Sequence, residues 1–238
     1  MLVAAAVCPC PPVLVPEVAA GAAPELDALR AACADAVGVL AASRPDRLVV
    51  IGHLTRPGPG VFPQGSPGTF REFGVPVDVA LGVPPEESAD ADPPPLPLSL
   101  AVAAWLLRGW RAAPVEGVAV EELLEPAWCA AAGRTVAQAA GRVALLVMGD
   151  GSACRTVKAP GYLDDRAEPF DATVAAALAA ADLGALAALD PVLAQSLKAA
   201  GRAPWQVLAG AAEDAGLTGE LLHASAPYGV GYFVAAWT

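Results

Sequence analysis

Three short stretches of this sequence carry side chains that can do chemistry. Cys8 and Cys10 flank a proline at the end of one apolar run, His53 follows a second run, and Gly149-Asp150-Gly151-Ser152 follows a third. A Cys-x-Cys pair with a histidine offers sulfur and imidazole donors, the set that suits zinc and other borderline metals. A plainer reading of the same residues stands ahead of it: Cys8 packs in a sheet, Cys10 is a small loop residue, and His53 satisfies a backbone carbonyl. Asp150, between two glycines, is a carboxylate held where backbone comes close. It can ligate a metal, move a proton or cap a helix. Ser152 is the second candidate catalytic residue, although the residue two beyond it is Cys154, where the α/β-hydrolase elbow requires glycine. His223 reads as a surface residue. No glycine-rich phosphate loop of the Walker or dinucleotide kind appears, which argues against a nucleotide cofactor.

The elements around these residues explain why they would meet. Leu2 to Cys8, Leu48 to Ile51 and Val143 to Met148 are continuous apolar runs, the pattern of strands buried on both faces. Helical periodicity marks Glu25 to Ala42, Ser99 to Arg111, Glu121 to Ala140, Asp171 to Ala181, Pro191 to Ala200 and Pro204 to Ala215. Val75 to Leu81 alternates as a third strand, and the chain closes with Leu221 to His223 and Gly231 to Trp237 as a strand pair. The glycine- and proline-rich stretch after His53 and the acidic, proline-rich connector over 84–97 read as exposed loops, the second as a mobile one. Strands alternating with helices predict one α/β domain over residues 1–238 with a mainly parallel, mixed central sheet. Ligands bind such sheets outside the carboxyl ends of the strands, where Cys10, His53 and Asp150 all fall.

Composition narrows the classes. A formal net charge of −11 disfavours nucleic acid and anionic membrane surfaces alike. No apolar segment approaches the roughly 20 residues of a membrane span. The N-terminus lacks the basic region and cleavage site of a signal peptide. With five cysteines, an odd number, reduced thiols and a cytoplasmic location are expected. Only Lys158 and Lys198 are lysines in an arginine-biased chain, and five tryptophans leave anchors for a homo-oligomer contact.

Taken in order, Cys-Pro-Cys10-Pro-Pro-Val-Leu-Val-Pro-Glu after the first strand, a central Met-Gly-Asp-Gly-Ser, then Ala-Pro-Gly-Tyr and a terminal Ala-Pro-Tyr-Gly-Val-Gly-Tyr-Phe resemble the class III extradiol ring-cleavage dioxygenases, in the alanine-rich actinobacterial branch of that superfamily. The resemblance spans nearly the whole chain. It implies a three-layer α/β/α sandwich and a non-haem Fe(II) at the strand ends, held by two histidines and a carboxylate, that binds a catechol-type aromatic and dioxygen. The first family histidine falls on Cys10 and the second on His53. The acid/base histidine falls at Ala153 or Cys154 and is missing, and Glu17, Glu121 and Glu125 are the candidates for the ligand carboxylate. A thiol in place of an imidazole favours Zn(II) over an iron centre that must activate oxygen. The expectation is therefore an extradiol-dioxygenase-like protein with an altered metal site, with Cys10 and His53 as metal residues and weak or no ring cleavage. Two further readings are a non-catalytic member of the fold that binds a small molecule or a protein, without metal, and a hydrolase using Ser152 or Cys10 with His53.

Overall fold

The computed structural model describes residues 1–55, 58, 60–83 and 93–238. Along the chain run β1 (Leu2–Cys8), α1 (Pro16–Ala19), α2 (Asp27–Ala42), β2 (Arg47–Leu54), β3 (Val61–Phe62), β4 (Pro67–Thr69), β5 (Asp78–Ala80), α3 (Leu98–Leu106) and β6 (Val115–Glu121). There follow α4 (Pro126–Ala137), β7 (Val143–Met148), α5 (Ala167–Ala180), α6 (Leu183–Ala187), α7 (Pro191–Ser196), α8 (Arg202–Ala212), β8 (Gly219–Ser225) and β9 (Tyr232–Trp237). Among the described residues no helix is long and apolar enough to cross a membrane.

Seven strands form one mixed sheet in the order β3-β6-β2-β7-β1-β9-β8. Its centre, β6-β2-β7-β1, is parallel, while β3, β9 and β8 pair antiparallel at the two sides. The three continuous apolar runs lie side by side as β2, β7 and β1, and β7 is buried at every position. Alternation along these strands divides the core. Val7, Ile51, Leu145 and Val147 face a cluster with α4, α5 and α8, whereas Ala6, Val50, Leu146 and Met148 face a second cluster with α2 and α3. Helices thus cover both faces, which is what a parallel sheet with apolar surface on each side requires.

Several expectations are corrected. The helix expected over 121–140 begins only at Pro126, because Val115–Glu121 is a strand of the parallel sheet. Val75–Leu81 does not join the main sheet: Asp78–Ala80 pairs with Pro67–Thr69 in a separate hairpin. Part of the loop after His53 and residues 84–92 of the acidic connector lie outside the described residues. All five cysteines are free and buried, and Cys33 on α2 together with burial raises the pKa of the Cys8 thiol on β1.

Candidate functional site

The register of the central strands sets the geometry. Cys8 pairs with Met148 and Ile51 with Val147, so Cys10 and Asp150 each lie two residues past a paired position and His53 closes β2 beside them. β9 runs antiparallel, so its first residue, Tyr232, arrives at the same edge of the sheet. Cys10, His53, Asp150 and Tyr232, with Lys198 and Tyr228, line one cavity of about 420 Å3, within the usual range for small-molecule sites. A neighbouring cleft of about 260 Å3 shares Lys198 and Ala200 with it and reaches Glu122. A larger cavity of about 590 Å3 lies along the β4–β5 hairpin, where the polar groups are the exposed Arg71–Asp78 pair and its neighbours. It gathers no buried titratable group.

Small residues create the close approaches that build the site. A Cβ on Gly149 would sit 2.3 Å from the Gly201 Cα, and one on Gly52 would sit 2.5 Å from the Ser99 Oγ. Neither Gly149 nor Gly151 adopts a positive φ, so proximity and not a left-handed turn explains the glycines around Asp150. Ser99 fixes His53 from both sides: its hydroxyl accepts from the His53 N–H (3.1 Å) and donates to the His53 carbonyl (2.9 Å). The Cys10 N–H donates to Asp150 Oδ1 at 2.7 Å, so Asp150 ties β7 to the loop after β1 and caps no helix.

The cavity floor is electrically quiet. Burial lowers the His53 pKa to about 4, leaving the imidazole neutral, and its buried Nδ1 has no hydrogen-bond partner. Burial, reinforced by Asp150 and Glu122, pushes the Cys10 thiol up, so it stays protonated. Asp150 is pushed up to about 7 by burial, against the Cys10 N–H, which lowers it. Burial, then Asp150, Cys10 and Tyr228, raise the Tyr232 phenol, and among the described residues its hydroxyl has no partner. Glu122 Oε1 lies 3.8 Å from His53 Nε2. With the imidazole neutral this is proximity, not an ion pair.

Of the residues singled out from sequence, Cys10, His53 and Asp150 are brought together. Ser152 is not: it is fully buried, its N–H and Oγ both donate to Asp171 at 2.8 Å, and it does not line the cavity. The structure therefore holds Ser152 against Asp171 and does not bring it together with Cys10, His53 and Asp150. His223 sits on β8 against Ser225 Oγ at 2.8 Å, and Glu17, Glu121 and Glu125 line no part of the cavity. Among the described residues no three His, Cys, Asp or Glu side chains come together as a metal-holding group. The donors in the cavity, a protonated thiol, a single imidazole and the Asp150 carboxyl, do not fit the two-histidine, one-carboxylate centre the resemblance implies, because a thiol stands where the second imidazole is needed. Sequence reasoning missed Glu122, Lys198 and Tyr232. The tyrosine stood inside the terminal motif, and Lys198 was visible as one of only two lysines.

The raised carboxyl has a pH signature. The folded chain holds a proton on Asp150 that the unfolded chain, with a carboxyl near its ordinary 3.8, releases. Between about pH 4 and about pH 7 the folded state binds the extra proton, so this group's contribution to stability falls as pH rises. Asp150→Asn, whose amide oxygen still accepts from Cys10, is expected to gain stability over wild type across that window and no further above it. His53 slopes the other way below its ordinary pKa but cancels in the comparison. Urea midpoints at about pH 5 and about pH 8 test this; an equal difference at both would contradict it.

No family model matches the chain, and no curated protein matches it. In structure it is similar to the crystal structure of an uncharacterized protein from Escherichia coli, with a TM-score of 0.52 and 13% identity over 99% of each chain. At that identity the likeness concerns the fold alone.

Proposed function

We propose that this chain is a small-molecule-binding protein on the three-layer α/β/α framework of the extradiol dioxygenases, with the oxygen-activating centre altered so far that ring cleavage is weak or absent. One observation carries the reading: Cys10, His53 and Asp150 converge on a cavity of about 420 Å3. The groups that line the cavity from the strand ends are a protonated thiol, a neutral imidazole and the Asp150 carboxyl. Helix clusters on both faces of the sheet support the three-layer arrangement. Apolar walls from Pro11, Val13, Leu98 and Val230, with phenol and carboxyl groups among them, suit a small aromatic molecule bearing hydroxyls. Ring cleavage would further need an acid/base where Ala153 stands, and losing that function alone costs about 10²–10⁴-fold in rate.

The test is titration calorimetry with catechol, beside an oxygen electrode after anaerobic exposure of the protein to Fe(II). Catechol is expected to bind wild type without oxygen uptake above the iron-only control. Cys10→His, which restores the family's residue type, is expected to raise retained iron. Stoichiometric oxygen consumption and a ring-opened product from wild type would sink the proposal.

A further inference from the structure

Resting on that small-molecule reading of the cavity, we infer a further activity: metal-independent proton transfer next to the carbonyl of a small 2-oxo carboxylate, with Asp150 as the base, Tyr232 as the donor to the carbonyl oxygen and Lys198 as the anchor of the carboxylate.

The argument begins with polar groups that the fold leaves unspent. Asp150 uses one oxygen to accept from the Cys10 N–H, and among the described residues the other has no partner. Burial first, and then the Asp150 carboxylate, hold the proton on the Tyr232 hydroxyl, yet it bonds to nothing among the described residues. Both groups line the cavity, so a bound ligand can complete them. Lys198 is the one cation among the cavity's described lining residues, in a chain of net charge −11. Its backbone is left-handed, with φ at 55°, just after α7, a position that helices usually give to glycine. The cost of a lysine there is intelligible if its ammonium is needed at the mouth.

These groups match enolisation. Asp150 as carboxylate takes a proton from C3 of the bound 2-oxo acid. The C–H electron pair becomes the C2–C3 π bond, and the carbonyl π pair moves onto oxygen. Tyr232 donates a hydrogen bond to that oxygen as charge develops on it. Return of a proton from Asp150 to C3 restores the substrate, so no oxidant, reductant or metal enters. A carboxyl pushed up to about 7 is suited to giving and taking protons near neutrality. Tyr232, kept protonated, stays a donor.

Phenylpyruvate is the probe: in D2O, with EDTA present, NMR follows loss of its C3 protons while calorimetry on the same protein measures binding. Wild type is expected to exchange them faster than buffer. Asp150→Asn lowers the enzymatic rate by about 10²-fold or more, and Tyr232→Phe lowers kcat by about 10²-fold. Lys198→Met raises KM about tenfold with kcat retained, the loss of one charge-assisted contact. Binding with exchange no faster than buffer overturns the activity and leaves the binding reading standing. Failure of both phenylpyruvate and catechol to bind sinks the two together. Exchange abolished by EDTA, or unchanged in both Asp150→Asn and Tyr232→Phe, also overturns the proposal.

Discussion

Gly210→Ala is expected to destabilise the protein by about 3 kcal/mol or more, and Gly133→Ala by a similar amount, lowering the Tm by roughly 10 °C. The reason is the seam between α4 and α8. Every residue of α8 is buried, and α4 crosses it so closely that a Cβ on Gly210 would fall 2.3 Å from the Ala130 carbonyl oxygen. One on Gly133 would fall 2.0 Å from the Val207 carbonyl oxygen and 2.6 Å from the Ala211 nitrogen. Both obstacles are backbone, so no rotamer change relieves them and the helices must part. Separation would also move Gly201, which precedes α8 and packs on Gly149, and with it the turn that presents Asp150. Chemical denaturation and catechol titration on the same variants should therefore change together. Because either methyl already forces the helices apart, the double variant is expected to lose less than the sum. A loss below about 1 kcal/mol for both single variants would mean that the seam is not close-packed.

The same seam shows what the sequence can and cannot disclose. Alanine and glycine spaced along two helices signal nothing until the crossing is known, whereas β1, β2 and β7 announce themselves because a strand buried on both faces must be apolar at successive positions. Val115–Glu121 escaped that rule. It lies next to the short β3, carries Glu116 and Glu121, and buries its positions unevenly, while Gly117 leaves space for Leu100 and Phe62. Proline at the first turn of α4 was the signal that the helix starts at Pro126 and not at Glu121. At the site, Cys10, His53 and Asp150 were legible because each ends a strand whose place in the sheet follows from hydrophobicity. Lys198 and Tyr232 reach the same cavity from a turn after α7 and from an antiparallel strand, and no local pattern encodes that convergence. Ser152 misled because adjacency to Asp150 in sequence became opposition in space, with one side chain turned to α5 and the other to the cavity.

That opposition makes Asp171 the other position of large effect. Its carboxylate is 1% exposed and accepts from the Ser152 N–H and Oγ, each at 2.8 Å, and from Arg155 Nη1 at 3.2 Å. Burial raises its pKa, and Gly151 and Gly231 pack so closely against it that a Cβ on either would come within 2.8 Å of its carboxylate oxygens. Asp171→Ala would strand a guanidinium and two donors at once, and breaking a buried pair from one side costs about 3–5 kcal/mol. Arg155 is partly exposed and has Glu168 3.6 Å away, so the lower end of that range is expected. Ser152→Ala removes a single hydroxyl donor and should cost only about 1 kcal/mol. The contrast decides what the Gly149–Ser152 turn is for. If Asp171 works by fixing the turn from behind, Asp171→Ala should lower phenylpyruvate exchange and catechol affinity together with stability, whereas Ser152→Ala should leave exchange within about twofold of wild type. Abolished exchange in a stably folded Ser152→Ala protein would instead make the hydroxyl a reacting group, and the division of labour across the turn would have to be reversed.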